Sequence, residues 1–247
     1  MKKTLIIIFM ALAWSISINN LMAQKSDFFK VGTIEYERKQ NIMATFNYDP
    51  MFKVFVEKTG SEIYTTFFTL TIEPNQSIYQ LGKINGPANQ FPDLPADNNI
   101  IHYDFKESKK IVQKNTGGTT YSITDDERQI QWKLTEEIRE IAGYTCRRAN
   151  AIILDSIYAV AFYCEKFPYQ IGPESFAGLP GLILGISLPS EHISWFATKA
   201  TPMNEIPKIT APTQKKVITN KDYRTMLENT VLKFPKLGPI LFKRALL

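Results

Sequence analysis

Histidine and cysteine are scarce in this chain of 247 residues, which contains two of each. His102 and His192 lie far apart, and neither is paired at a helical metal-ligand spacing, so the sequence predicts no metal site. The Cys-x-x-Cys pair of thiol oxidoreductases is absent as well. These absences argue against zinc-dependent and thiol-redox chemistry.

The familiar catalytic motifs are also missing. The chain contains no Gly-x-Ser-x-Gly elbow, His-Glu-x-x-His motif, Walker phosphate loop or Gly-x-Gly-x-x-Gly loop. Two carboxylate-rich clusters, residues 125–127 and 136–137, lack the spacing of a calcium loop and are interpreted as solvated turns. The sequence therefore predicts no catalytic, cofactor-binding or metal-ligating residue, and it gives an enzyme no support.

Long apolar runs are limited to the beginning of the chain. Residues 5–18 are almost entirely apolar, follow Lys2 and Lys3, and precede a small residue at Ala23. This order predicts a cleaved secretory signal peptide over residues 1–23, because a spanning helix needs about 20 apolar residues. We expect the mature chain, residues 24–247, to be exported without a transmembrane segment, as a periplasmic, outer-membrane-associated or secreted protein.

Charge is distributed unevenly along the chain, whose formal net charge is +5. Residues 205–247 hold nine Lys or Arg and three Asp or Glu, so this region is basic. Basic regions suit anionic lipid or nucleic acid. Export argues against nucleic acid, and we interpret these lysines mainly as a solvated face.

Aromatic residues and alternating polar and apolar positions indicate β-structure. Aromatics make up 12% of the chain, with sixteen Phe and eleven Tyr. The pattern predicts a mainly β (α+β) single domain over residues 24–247, built on a curved antiparallel meander sheet. The predicted strands cover residues 33–37, 52–57, 63–68, 100–105, 110–113, 119–123, 130–134, 144–153, 157–163, 181–187 and 193–198.

Three connecting segments complete this prediction. Residues 59–61 are expected to form a hairpin turn, and residues 82–99, rich in Pro, Asn and Gly, a surface loop. Residues 220–234 predict an amphipathic helix packed on the sheet, capped by Asn220 and stopped by Pro235. Its apolar face would contain Tyr223, Met226, Leu227, Val231 and Phe234.

The two cysteines lie in consecutive predicted strands. A three-residue turn at residues 154–156 would pair Ile153 with Ile157 and set Cys146 opposite Cys164, within reach of a disulfide. A two-residue turn would instead set Cys146 against Glu165. Both registers remain open, and so does the disulfide.

The stretch ESFAGLPGLILGI is too short to span a membrane, and Pro180 removes a donor from any phosphate-binding loop. We interpret it as a structural turn. Pro173 would start a helical turn, Phe176 would anchor it in the core, and Gly178 would supply an unusual backbone angle. A buried strand would then follow over residues 181–187.

The sequence IAGYTCRRANAIILDSIYAVAFYCEKFPYQIGPESFAGLPGLILGI resembles the GLPGLI family of exported proteins, found mostly in Bacteroidetes. The family is named for the motif Gly178, Leu179, Pro180, Gly181, Leu182 and Ile183, and residues 138–200 would form the family core. Phe162 stands where the family usually has Trp, and Cys164 where it usually has Thr. The resemblance implies a β-rich envelope or secreted protein with no assigned activity, cofactor or catalytic residue.

Three functions follow from these features. The leading hypothesis is a non-catalytic envelope protein whose curved sheet binds an apolar small molecule, a lipid or an envelope component. The alternative is a protein–protein interaction module of an outer-membrane assembly, which would use strand edges or the basic region at residues 205–247. The third is an uncharacterised hydrolase.

Overall fold

The computed structural model describes residues 29–46, 49–82, 96–125 and 129–247. The predicted signal peptide and most of the loop predicted over residues 82–99 therefore lie outside the described residues. Twelve strands form one sheet, in the order β12-β6-β5-β4-β3-β2-β1-β11-β10-β9-β8-β7. The strands are β1 Gly32–Asn41, β2 Ile63–Ile72, β3 Gln76–Leu81, β4 Ile100–Asp104, β5 Lys109–Thr116, β6 Thr119–Ile123, β7 Lys133–Ile141, β8 Tyr144–Ile153, β9 Ile157–Cys164, β10 Leu182–Leu188, β11 Ile193–Pro202 and β12 Val217–Ile218.

The curved, mainly antiparallel sheet and the helix near the end of the chain confirm the predicted fold class. Strand β1 shows why alternation was informative, because its buried and more exposed residues alternate along its length. It pairs antiparallel with both β2 and β11, so it lies centrally in the sheet. The pair β12–β6 is parallel.

The strand predicted over residues 52–57 was wrong. This segment belongs to helix α2, Pro50–Thr59, which follows the short helix α1, Ile42–Thr45. Phe52 and Val56, one helical turn apart, pack in the same apolar cluster, so the short run F-K-V-F-V-E fits a helical period as well as a strand. Pro50 also suits a first helical position. Residues 59–61 are consequently no hairpin turn but the end of α2, where the Gly60 amide donates to the Val56 carbonyl at 2.8 Å.

Two other strands differ from the prediction. The strand predicted over residues 130–134 begins later and runs as β7, Lys133–Ile141. Most β7 residues are exposed at the sheet edge, so apolar alternation marks the strand poorly. Strand β3 had no predicted counterpart, because three successive buried residues conceal its alternation.

Beyond β11, an extended segment crosses the strands β3 to β6 before it reaches β12. Gln113 donates to the Thr213 carbonyl at 2.7 Å, and the Ser122 hydroxyl accepts from the Lys215 amide at 2.9 Å. This segment therefore ties the end of the chain to the first half of the sheet.

Two helices follow β12: α3, Asn220–Thr230, and α4, Gly238–Leu246. The predicted cap was off by one residue, because the Thr219 hydroxyl, not Asn220, accepts the Asp222 amide at 3.0 Å. Tyr223 and Leu227 are buried as predicted, but Phe234 is 61% exposed. The helix ends before Phe234, whose extended backbone points the ring away from the predicted apolar face.

Helix α4 was not predicted, and it covers the interior of the sheet. Ala245 and Leu246 join the largest apolar cluster, which spans both halves of the sheet, and Leu247 joins a second cluster around β8 to β11. The Lys114 ammonium of β5 donates to the Ala245 carbonyl at 2.8 Å. No helix within the described part of the chain is long and apolar enough to cross a membrane.

Candidate functional site

The segment singled out in the sequence forms the turn between β9 and β10. Phe176 is fully buried, as predicted, and Leu182, Ile183 and Leu184 are all buried in β10. Gly178 has a positive φ of 91°, which confirms its predicted backbone role. The turn at Pro173 is not helical, however, because Glu174 has a left-handed backbone with φ of 52°.

Glu174 combines this rare backbone conformation with complete burial. Its carboxylate accepts from the Asn99 amide at 2.8 Å and from the Tyr79 hydroxyl of β3 at 3.5 Å. Burial raises the pKa of Glu174, and nearby Arg38 partly opposes that rise. A strained, buried carboxylate of this kind is typical of a functional position.

Arg38 lies beside this carboxylate on β1. Its guanidinium donates to the Ala96 carbonyl at 3.0 Å and forms an ion pair with Asp97, which also accepts from the Tyr64 hydroxyl at 3.4 Å. Burial would lower the pKa of Arg38, but the carboxylates of Asp97 and Glu174 outweigh it and raise that pKa. Arg38 and its partners thus form a buried charged network.

Helix α4 adds a second guanidinium, Arg244, which is 1% exposed. Its Nη1 and Nη2 atoms have no hydrogen-bond partner among the described residues. Burial and the nearby Arg38 lower the pKa of Arg244 to about 9. Because arginine is still protonated at neutral pH, the shift marks a buried cation whose charge is incompletely compensated. We call Arg38, Asp97, Glu174 and Arg244 the polar centre.

Further polar atoms without partners surround Arg38 on the same face of the sheet. Thr66 of β2 and Trp195 of β11 are its direct cross-strand neighbours. Within the described part of the chain, the Thr66 hydroxyl, the Trp195 ring nitrogen and the Arg38 Nε atom form no hydrogen bond, and neither does the Gln40 amide. Buried polar groups are normally satisfied, so such a concentration requires an explanation.

The chemistry available to the polar centre follows from its charges. Lys114 also acts on Glu174 electrostatically, so three buried cations face the carboxylates of Asp97 and Glu174, while a third buried carboxylate, Glu191, acts on Arg244 and is paired with Lys243. The excess is positive, and the free donors belong mainly to guanidinium groups. Such groups bind carboxylate or phosphate through paired N–H donors. The arrangement therefore suits an anion.

The histidines lie outside the polar centre. His102 is buried, with its Nε2 atom 3.0 Å from the Gln76 side-chain oxygen, and burial lowers its pKa. His192 is exposed at the turn before β11. Among residues 29–46, 49–82, 96–125 and 129–247, no three His, Cys, Asp or Glu side chains group as metal ligands would.

Cys146 and Cys164 are not members of the polar centre. The structure decides between the two registers of β8 and β9 that the sequence left open. Ile153 pairs with Ile157 and Arg147 with Tyr163, which is the three-residue-turn register. Both thiols are buried and not joined by a disulfide, and the Cys146 thiol donates to the Tyr144 carbonyl at 3.4 Å. The disulfide itself stays a prediction.

A cavity lies mainly on the other face of β1 and β2 from Arg38. Its volume is about 440 Å³, and it is lined by mixed side chains. The lining residues are Thr33, Glu35, Phe67, Phe68, Thr69, Gly82 and Thr198. Because threonine and glutamate contribute as much as phenylalanine, this lining does not resemble the mostly apolar wall of a lipid site.

Sequence reasoning missed all four members of the polar centre as functional residues. Arg38 carried a readable signal, because it continues the buried face of Ile34 and Tyr36 in the alternation of β1. A charge at such a position indicates a buried partner. Glu174 belonged to a stretch interpreted as structural, and nothing in the local sequence connects Asp97 or Arg244 with it.

Comparison with known proteins finds one family model that matches a short part of the chain. Residues 151–185 match the model of a family described as "Protein of unknown function (Porph_ging)". That match covers β9, the turn that holds Glu174 and most of β10. No curated protein matches the chain by sequence.

Solved structures add a likeness of fold. Two crystal forms of PNGF-II resemble the chain with a TM-score of 0.51 each, at 13% and 14% identity. The matches cover 80% and 79% of this chain but 33% and 32% of PNGF-II, so the chain spans about a third of that protein's length. At this identity the likeness concerns the fold alone.

Proposed function

We propose that this protein is a non-catalytic binding protein of the cell envelope, and that its polar centre binds a small anion or the anionic group of an envelope component. The same proposal includes export and membership of the GLPGLI family, which the motif at residues 178–183 supports. The ligand is thus anionic, in place of the apolar molecule expected from the sequence.

The observation that carries this proposal is the Arg244 guanidinium, buried with Nη1 and Nη2 unpartnered among the described residues. An unpartnered buried cation is unfavourable, and an anion between Arg244 and Arg38 would relieve it. Trp195 and Thr66 would supply neutral donors at the same place.

Ligand exchange at this site depends on α4. The helix carries Arg244 and also contacts β5 through Ala245, so it covers the polar centre from the interior side. Movement of α4 away from the sheet would open the polar centre to a ligand. We therefore expect slow exchange and a ligand that survives purification.

Thermal unfolding tests the proposal, because a ligand that binds only the folded protein raises its melting temperature. Inorganic phosphate and succinate are titrated against the wild-type protein, Arg244→Met and Arg224→Met. Arg224 is a matched control, since it is an exposed arginine of α3 paired with Glu228. We expect one of the anions to stabilise the wild type and Arg224→Met but not Arg244→Met.

Native mass spectrometry of the purified protein supplies a second measurement. We expect an adduct of the mass of a small anion in the wild type that is lost in Arg244→Met. Equal stabilisation of all three proteins, or a wild type with neither adduct nor stabilisation, contradicts the proposal.

A further inference from the structure

A 3-10 helix, Val231–Lys233, follows α3, and its last two residues together with residues 234–236 form a short exposed segment before α4, which we call the Phe234 loop. Leu232 is 39% and Phe234 61% exposed. The backbone of the loop is fixed at both ends. The Phe234 amide donates to the Val231 carbonyl at 3.2 Å, and the Gly238 amide donates to the Phe234 carbonyl at 2.7 Å. The aromatic ring is therefore held outward by a defined turn.

The fold does not explain this exposure. Helix α3 contributes Tyr223 and Leu227 to the core, and α4 packs its own apolar side chains, including Leu237 and Ile240, against α1 and α2. Phe234 lies between these contacts and belongs to neither cluster. Exposed apolar side chains that occur singly need no explanation, but two within three residues form a patch.

Two lysines surround these apolar side chains. Lys233 and Lys236 are exposed, and neither forms an ion pair with a described carboxylate. The nearest acidic residue along the helix, Glu228, is paired with Arg224. The loop also belongs to the most basic region of the chain, residues 205–247. The electrostatic potential at the Phe234 loop is therefore positive, because no acidic residue adjacent in sequence offsets the two lysines.

We propose that the Phe234 loop docks the protein on the surface of an anionic lipid bilayer. Phe234 and Leu232 would enter the boundary between headgroups and acyl chains, while Lys233 and Lys236 remain among the lipid phosphates. Each lysine near an anionic surface strengthens binding about fivefold, which corresponds to about 1 kcal/mol. The inference is independent of the polar centre and goes beyond the proposed function.

A bilayer fits the loop better than a protein partner does. A stable protein interface takes about 800 Å² and 20 residues or more from each partner, whereas this patch comprises five residues. One aromatic ring, one leucine and two cations combine an apolar and an electrostatic contribution, which suits weak, reversible attachment to lipid. An acidic protein is therefore the competing outcome rather than the proposal.

Vesicle co-sedimentation tests the docking. Vesicles of phosphatidylcholine alone are compared with vesicles in which about one third of the lipid is phosphatidylglycerol. We expect the wild-type protein to bind the anionic vesicles and not the neutral ones. Phe234→Ser should weaken binding about tenfold, because it removes the buried aromatic surface. The double variant Lys233→Gln, Lys236→Gln should weaken it about 25-fold.

A charge-matched control separates docking from general attraction. Lys208→Gln with Lys215→Gln removes two exposed lysines of the same basic region outside the loop, and it should weaken binding several times less. The emission of Phe234→Trp should shift to the blue on anionic vesicles. Wild-type protein that does not bind, equal loss in the two lysine pairs, or a Trp emission that does not shift overturns the proposal.

Discussion

The turn between β9 and β10 separates two interiors of opposite character. Glu174 enters the polar centre, whereas Phe176 and Leu179, a few residues later, enter the second apolar cluster around β8 to β11. Both regions are fully buried. The polar centre gathers residues 38, 97, 174 and 244 from across the chain, but the apolar cluster comes mostly from consecutive hairpins. The buried charges therefore come from residues that are distant in sequence, whereas the apolar cluster comes largely from residues that are close in sequence.

Breaking the polar centre should have the largest effect. Arg38→Met removes the ion-pair partner of buried Asp97 and weakens the compensation of that carboxylate. Removal of one member of a buried pair typically costs about 3–5 kcal/mol in free energy of unfolding. Urea denaturation of the wild type and the variant measures this loss.

The matched control is Arg224→Met, which breaks an exposed pair on α3. Exposed pairs contribute about 0–1 kcal/mol, so this variant should unfold close to the wild type. If Arg38→Met and Arg224→Met lost equal stability, the buried pair of Arg38 and Asp97 would contribute no more to stability than an exposed ion pair does.

The same contrast explains how much the sequence could predict. Period-two alternation identified β1 and β2, and turn length decided the register of β8 and β9, because those features are local. The helix α2 was missed because its short apolar run fits two periods. Arg244 could not be connected with Arg38 from the sequence, since only the docking of α4 on the sheet brings them together. Local sequence patterns therefore could not predict the candidate site.

The packing of the turn between β9 and β10 can be tested at two glycines, Gly178 and Gly181. A Cβ atom at Gly181 would lie 2.4 Å from the Cys164 carbonyl oxygen, so β9 would have to move. At Gly178 the nearest atom would be the Trp132 ring nitrogen at 3.9 Å, and only the positive φ opposes a side chain. We expect Gly181→Ala to cost about 2–3 kcal/mol of unfolding free energy and Gly178→Ala about 1 kcal/mol.

Thermal or urea unfolding of these two variants gives the ranking directly. The sequence had suggested Gly178 as the demanding position, whereas close approach of two backbones makes Gly181 the stricter one. A larger loss in Gly178→Ala than in Gly181→Ala would contradict this account of the turn.

The smallest expected effect is a pH dependence centred on Glu174. Its pKa in the folded protein is raised by burial above the ordinary value of 4.5, so the native state takes up a proton before the unfolded chain does. Stability of the wild type should therefore rise relative to Glu174→Gln as the pH falls from the raised pKa towards 4.5. Urea midpoints between about pH 8 and pH 5 measure this gain. A stability difference that stays constant over this range would contradict the raised pKa of Glu174, because it would show that Arg38, Lys114 and Arg244 offset the effect of burial completely.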